Sequence, residues 1–226
     1  MYLKPHRLNY PSPFKPVGYR FALLSLLLIV STLLPSCSRE EPIRIGFIGG
    51  LSGRVADLGI SGRNGAILAV EQRNSMGGIN GRRVHLVAVD DKQDKDTATR
   101  EFTSLIDQGV QAIIGHMTSS MSVSTVPLAN KHHLVLISPT STTTHLKDLD
   151  DYFLRVCATT DTYGAEMAGY FRNIKKLDRV TVLYDLGNKA YTESWINHFS
   201  DEFTRLGGEI VQKVTFTSGP ETPASH

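Results

Sequence analysis

The stretch Ile43-Arg-Ile-Gly-Phe-Ile-Gly-Gly50 opens a regular alternation of strand and helix patterns. Its first six residues form a mostly apolar run that ends in two glycines, which is typical of a parallel strand buried on both faces. Similar short runs recur at residues 84–89, 112–114 and 134–137. Helical patterns lie between them, at residues 65–75, 97–108 and 119–131, with Asp96 predicted to cap the second helix. This order predicts an α/β fold with a parallel sheet and right-handed crossovers.

The same alternation restarts after residue 150. A linking strand is predicted at residues 152–156, and two helices and two strands follow at 163–174, 180–184, 192–206 and 210–216. We therefore expect two Rossmann-like lobes with parallel sheets, the first at residues 37–155 and the second at 156–226. Two strands after the linking one do not finish a lobe, so the second lobe is expected to be incomplete.

The N-terminal region has the pattern of an export signal. A basic lead precedes a 14-residue apolar run at residues 21–34, whereas a membrane-spanning helix needs roughly 20 apolar residues. The run ends in Leu34-Pro-Ser-Cys37, which resembles the bacterial lipobox, whose cysteine receives diacylglycerol. We expect residues 1–36 to be a lipoprotein-type signal peptide and Cys37 to carry a lipid anchor. A plain signal peptide and a retained membrane anchor are the alternatives.

Charge and cysteine content narrow the class of protein. The formal net charge is +2, but the first 36 residues hold four basic side chains and no acidic one, so the rest of the chain is weakly acidic. A weakly acidic body does not favour nucleic acid as a partner. If Cys37 carries lipid, Cys157 has no cysteine to pair with, and hydrophobic cores alone must hold the exported fold together.

Patterns for catalysis or cofactor binding are weak. The glycine-rich turn after the first strand matches neither G-x-G-x-x-G nor the phosphate loop with G-K-[ST]. The acidic cluster at residues 90–96 lacks calcium-loop spacing, and the histidines at 132, 133 and 145 lack zinc spacing. A triad of Ser119, His116 and Asp90 has no nucleophile motif around the serine. We expect no enzyme activity, no metal and no cofactor.

A series of short motifs gives the most specific signal. They are Gly46–Gly53, Gly77-Gly-Ile-Asn-Gly-Arg82, Asp90-Asp91, Ile114-Gly-His116, Ser138-Pro-Thr-Ser-Thr142 and Asn188-Lys-Ala-Tyr191. Their order and spacing resemble the leucine/isoleucine/valine-binding protein family of type I periplasmic binding proteins, from about residue 43 to 216. The resemblance implies a periplasmic binding protein-like I fold, whose two lobes close on a ligand. It also implies a receptor that captures an amino acid, of branched-chain type or a related amide, and delivers it to the permease of an ABC transporter in the cell envelope.

The candidate ligand site follows from helix physics and from the resemblance. Ser119 lies just after the third strand and at the start of a helix, where free N–H groups and the helix dipole suit a carboxylate. The resemblance places a ligand carboxylate there, next to Thr118. It assigns carbonyls and a hydroxyl of Thr140, Ser141 and Thr142 to the ligand's charged groups, and the ring of Tyr191 to covering it. The competing interpretations are a helix cap, a solvated turn and ordinary packing.

Two departures leave the ligand open. Leu58 stands where the branched-chain receptors have an aromatic residue. The acidic residue that grips the ligand's ammonium comes, in the family, from a later part of the second lobe. Two other functions remain as alternatives: the extracytoplasmic sensor of a signalling receptor, and a truncated product without function.

Overall fold

Five parallel strands build the first sheet of the computed structural model, which describes residues 40–217. The predicted signal peptide and Cys37 lie outside the described residues. The strands run in the order β2-β1-β3-β4-β5. Their bounds are β1 Ile43–Gly49, β2 Val84–Asp90, β3 Ala112–Ile114, β4 Leu136–Ser138 and β5 Phe153–Arg155. The predicted linking strand is thus the fifth strand of this sheet, where it pairs with β4.

Three helices connect these strands, and they cover the sheet on both faces: α1 Ala56–Ser75, α2 Lys95–Asp107 and α3 Ser119–His132. Phe102 and Leu105 of α2 are fully buried against Ile113 and Leu136 in the main core. Phe47, Ala66 and Met117 form a smaller core that α1 covers. Burial on both faces explains why the strands read as apolar runs rather than as alternating patterns.

The first helix begins nine residues earlier than predicted. Gly59 and Gly62 both lie inside α1, at positions where the helix packs closely on its neighbours. A Cβ atom on Gly59 would lie 1.8 Å from the carbonyl oxygen of Gly50, and one on Gly62 would lie 2.5 Å from Cε of Met117. Gly59 is therefore needed for close approach to the backbone of Gly50, whereas the flexible end of Met117 can move for a Cβ on Gly62.

The predicted cap of the second helix is wrong by two residues. Asp94, not Asp96, is the N-cap of α2, and its Oδ1 accepts a hydrogen bond from the N–H of Thr97 at 2.8 Å. Asp94 has the extended backbone that an N-cap requires, whereas Asp96 is already in the first helical turn. An aspartate in either position stabilises the positive end of the helix, so the residue type alone does not show which of the two is the N-cap.

The second lobe comprises a parallel pair of strands and two helices. Its elements are α4 Thr160–Gly169, which continues as a π-helical turn at Tyr170–Ile174, β6 Arg179–Asp185, α5 Lys189–Arg205 and β7 Glu209–Phe216. Phe199 and Phe203 of α5 are buried against Ala168 and Val182 and form its core. No helix in the described range 40–217 combines the length and apolar character needed to cross a membrane.

Candidate functional site

The strand order of the first sheet reverses between β1 and β3. In open parallel sheets, ligands bind in the crevice outside the carboxyl ends of the strands at such a reversal. The loops that leave β1, β3 and β4 at this edge contain residues 50–55, 115–118 and 139–143. Predicted site residues Thr118, Ser119, Thr140, Ser141 and Thr142 all lie in these loops or directly after them, so the fold brings them to one edge.

The N-terminus of α3 lies at this crevice edge and is buried, with Ser119 only 1% exposed. Thr118 is its N-cap, but the Thr118 hydroxyl does not cap the helix, because it donates to Oε1 of Gln93 at 3.0 Å. Ser119 is the first helical residue, and its Oγ accepts from the N–H of Thr143 at 3.3 Å. The Ser119 N–H itself has no acceptor within residues 40–217. A free N–H at the positive end of a 14-residue helix is suited to a carboxylate.

The three predicted residues after β4 have different roles. The Thr140 hydroxyl donates to the carbonyl of Met117 at 2.7 Å, and the Ser141 hydroxyl is 2.6 Å from Oγ of Ser122. The Thr142 hydroxyl is buried and has no hydrogen-bond partner among the described residues. Of the three, Thr142 is therefore the side chain left with an unmet polar group, whose burial is costly unless a ligand or water pairs with it.

Arg155, at the end of β5, holds this loop and was not predicted. Its Nη1 donates to the carbonyls of Ser141 at 3.1 Å and Thr143 at 2.8 Å, and its Nη2 donates to the carbonyl of Leu146. Burial lowers the pKa of Arg155, because it disfavours the charged form. The sequence does contain a signal for Arg155, since a charged residue interrupts the apolar pattern of a predicted strand. A charged side chain that is buried there needs hydrogen-bond acceptors.

Asp90 fixes the loop after β1. Its carboxylate accepts from the N–H of Leu51 at 2.7 Å, from Oγ of Ser52 at 2.6 Å and from the N–H of Lys92 at 2.9 Å. Partial burial acts to raise the pKa of Asp90, but these hydrogen bonds together outweigh it and the pKa is lowered. The carboxylate therefore stabilises the loop above the unfolded pKa of about 3.9, and this contribution is lost as the pH falls through the lower folded value.

The second lobe touches the first at the start of α3. The N–H of Ser120 donates to Oδ1 of Asn188 at 3.1 Å, and Oγ of Ser120 accepts from the N–H of Ala190 at 3.1 Å. Arg54 and Asp185 form an ion pair at 3.2 Å across the same junction. The N-termini of α3 and α5 therefore both lie at this junction, where their dipoles favour a negative charge.

Tyr191 lies on the second-lobe side. It is in the first turn of α5 and lines a pocket of about 340 Å³ with Leu183, Trp195 and Phe216. Within residues 40–217, no hydrogen bond or ring contact joins it to Ser119 or to residues 140–142. Leu58, where the resemblance has an aromatic ring, lies in the first turn of α1 and is 40% exposed. Among the described residues, no three metal-binding side chains cluster together.

Comparison with known proteins gives one family. A family model described as periplasmic binding protein matches residues 42–226. The amino acid binding protein of Pseudomonas aeruginosa is 31% identical over 198 residues, which make up 86% of this chain and 52% of that protein. The leucine-specific-binding protein of Salmonella typhimurium is 26% identical over 192 residues, 84% of this chain and 52% of that protein.

Solved structures agree with these matches. The branched-chain amino acid transporter substrate binding protein LivJ of Streptococcus pneumoniae, in complex with isoleucine, superposes with a TM-score of 0.71 at 30% identity. The match covers 79% of this chain and 51% of that chain. The chain thus spans about half the length of the relatives it matches.

Proposed function

Because the chain belongs to the periplasmic binding protein family, we propose that it is an extracytoplasmic receptor for an amino acid. In this proposal the ligand is of branched-chain type or a related amide, and the receptor delivers it to the permease of an ABC transporter. The observation that carries the proposal is the free N–H of Ser119 at the start of α3, on the same edge as the unpaired hydroxyl of Thr142. Both groups match the carboxylate end of an amino acid.

The energetics are adequate for such a ligand. A hydrogen bond to a charged group contributes about 1.5–3 kcal/mol, so two or three of them supply about half of the −8.2 kcal/mol of a micromolar complex. The rest has to come from the ligand's ammonium and side chain. In the loop at residues 139–143, the carbonyls of Ser141 and Thr143 already accept from Arg155. That of Thr142 accepts from the N–H of Thr160, so the ammonium is assigned to the carbonyl of Thr140. Tyr191 would cover the side chain with its aromatic face.

Ser119 allows a sharp test of the carboxylate site. Proline is well tolerated at the first position of a helix, and Thr118 before it has φ −127° and ψ 148°, a conformation that residues before proline favour. Ser119→Pro removes the N–H and the hydroxyl, whereas Ser119→Ala removes the hydroxyl alone. We expect Ser119→Pro to bind amino acids about 1.5–3 kcal/mol more weakly than Ser119→Ala, roughly tenfold to 150-fold.

Calorimetric titration of both variants with leucine, isoleucine, valine and a wider amino acid panel measures this difference. Circular dichroism melting checks that both variants are folded. Equal affinities in two folded variants would exclude the Ser119 N–H from the site.

We further propose that residues 1–36 are removed as a signal peptide and that Cys37 anchors the protein to a membrane. Residues 37–155 and 156–226 are then the two ligand-binding lobes. Cys37→Ala should abolish both the incorporation of labelled palmitate in cells and the association with the membrane fraction, because no other residue follows a lipobox. Cys157→Ala is the matched control and should leave both unchanged. Labelling that persists in Cys37→Ala would refute the anchor.

A further inference from the structure

A fully buried carboxylate and imidazole lie beneath the candidate site. Oδ2 of Asp91 and Nδ1 of His116 are 2.8 Å apart, and both side chains have no solvent exposure. The ring of Phe102 stacks on His116 with centroids 6.4 Å apart and an interplanar angle of 16°. The proposed ligand contacts use neither Asp91 nor His116. A carboxylate buried against an imidazole is costly to maintain, so its connections indicate what it does.

The donors around Asp91 determine which nitrogen of His116 carries hydrogen. Oδ1 of Asp91 accepts from the N–H of Gln93 at 2.9 Å and from its Nε2 at 3.0 Å, which leaves Oδ2 for the histidine. A carboxylate only accepts hydrogen bonds, so Nδ1 of His116 must be the donor. Nε2 of His116 is buried and has no partner within the described residues, so it carries a lone pair at lower cost than an unmet N–H.

Asp91 reaches the loop before Ser119 at two points. It holds His116 directly, and it holds Gln93, whose Oε1 accepts from the hydroxyl of Thr118 at 3.0 Å. His116 and Thr118 flank Met117, and Ser119 follows at once. The carboxylate at the end of β2 therefore anchors both sides of the turn that leads into α3.

The end of β4 holds the same turn from the opposite side. The carbonyl of His116 accepts from Oγ of Ser138 at 2.6 Å, and the carbonyl of Met117 accepts from the hydroxyl of Thr140 at 2.7 Å. The turn is thus held on its β2 side by the Asp91 network and on its β4 side by hydroxyls. Without the Asp91 side, the turn would keep the β4 hydroxyls, and Ser119 and Ser120 would keep their hydrogen bonds to residues 143, 188 and 190, but residues 116–118 would lose their contacts with the end of β2.

We propose that Asp91 is a positioning residue for ligand binding, which acts through His116 and Gln93 to hold residues 116–118 and so to aim the Ser119 N–H at the ligand. This inference rests on the proposed function for its ligand. Its structural part, the control of the turn by Asp91, stands without any ligand.

Asp91→Asn is the decisive variant because it preserves shape. If the carbonyl of the new amide keeps accepting from Gln93, the amide nitrogen faces Nδ1 of His116 and must donate to it. His116 is then forced into the Nε2–H tautomer, which buries an N–H without an acceptor. We expect the nitrogen NMR signals of His116 to report this change of tautomer. We also expect faster amide exchange confined to residues 117–122, and amino acid binding weakened roughly tenfold.

Asp96→Asn is the matched control, since Asp96 is exposed in the first turn of α2, and it should leave all three measurements unchanged. If Asp91→Asn does not fold, Gln93→Ala cuts only the link to Thr118 and should give faster exchange at residues 117–122 and weaker binding. Unchanged exchange at residues 117–122 in the folded variant, or unchanged affinity where the unaltered protein binds, would overturn the proposal. An unaltered protein that binds no amino acid would instead refute the proposed function, and the exchange and tautomer measurements would still decide the role of Asp91.

Discussion

Replacing Gly59 with alanine is expected to destabilise the protein by about 3 kcal/mol, at the upper end of the usual cost of overpacking. The new Cβ would lie 1.8 Å from the carbonyl oxygen of Gly50 and 2.6 Å from its carbonyl carbon. Both atoms belong to backbone, so no side-chain rotation relieves the clash. Either α1 moves away from the loop after β1, or that loop moves away from the crevice.

Gly65 provides the matched control, because it lies in the same helix and a Cβ atom added to it would have no neighbouring atom within 4 Å. Gly65→Ala should stabilise the protein by about 0.4–1 kcal/mol, since alanine favours a helix and restricts the unfolded chain. Urea unfolding of both variants measures the difference. A Gly59→Ala variant that is as stable as the unaltered protein would show that α1 does not pack on Gly50 in solution.

Phe102→Ala is expected to cost about 3–5 kcal/mol, the range for removing a fully buried phenylalanine. Phe102 has no solvent exposure and packs in the main core of the first lobe, with its ring also against His116. The cavity would lie beneath the turn that leads to Ser119, so we also expect weaker amino acid binding in the fraction that stays folded.

Phe216→Ala removes the same side chain from a site that is 46% exposed, and it should change stability by less than about 1 kcal/mol. Denaturant unfolding compares the two variants. The midpoint concentrations report the change in stability if the dependence of the unfolding free energy on denaturant concentration is the same in both. A loss in Phe102→Ala no greater than the loss in Phe216→Ala would contradict the core assignment.

Much of the first lobe is predictable from local sequence pattern. The apolar runs at β1, β2 and β3 and the helix that begins at Ser119 are where the pattern predicts them, because each strand is a short apolar run bounded by turn residues. The start of α1 is not predictable in this way. Its glycines serve contacts with the backbone of Gly50 and with Met117, and the apolar pattern of the helix shows neither contact.

The candidate site also contains residues that local pattern predicts and contacts that only the fold shows. Helix physics predicts Ser119 as a site residue from a strand followed by a helix start, and this stays a prediction. The fold determines which acceptors lie near each remaining side chain. This decides the hydrogen bonds of Arg155 to the loop after β4 and the differing roles of Thr140, Ser141 and Thr142. The network of Asp91 with His116 spans 25 residues of sequence and carries no local signature.

The contact at Ser120 has a kinetic consequence. Ser120 donates to Asn188 and accepts from Ala190, so two hydrogen bonds join the lobes, each worth about 0.5–1.5 kcal/mol net. In a receptor of the kind proposed, these bonds increase the resting fraction of lobes already in contact, and separating the lobes must break them. In such a receptor we expect the two hydrogen bonds to slow the escape of a bound amino acid, so that Ser120, next to the proposed carboxylate contact, helps to determine how long the ligand is retained.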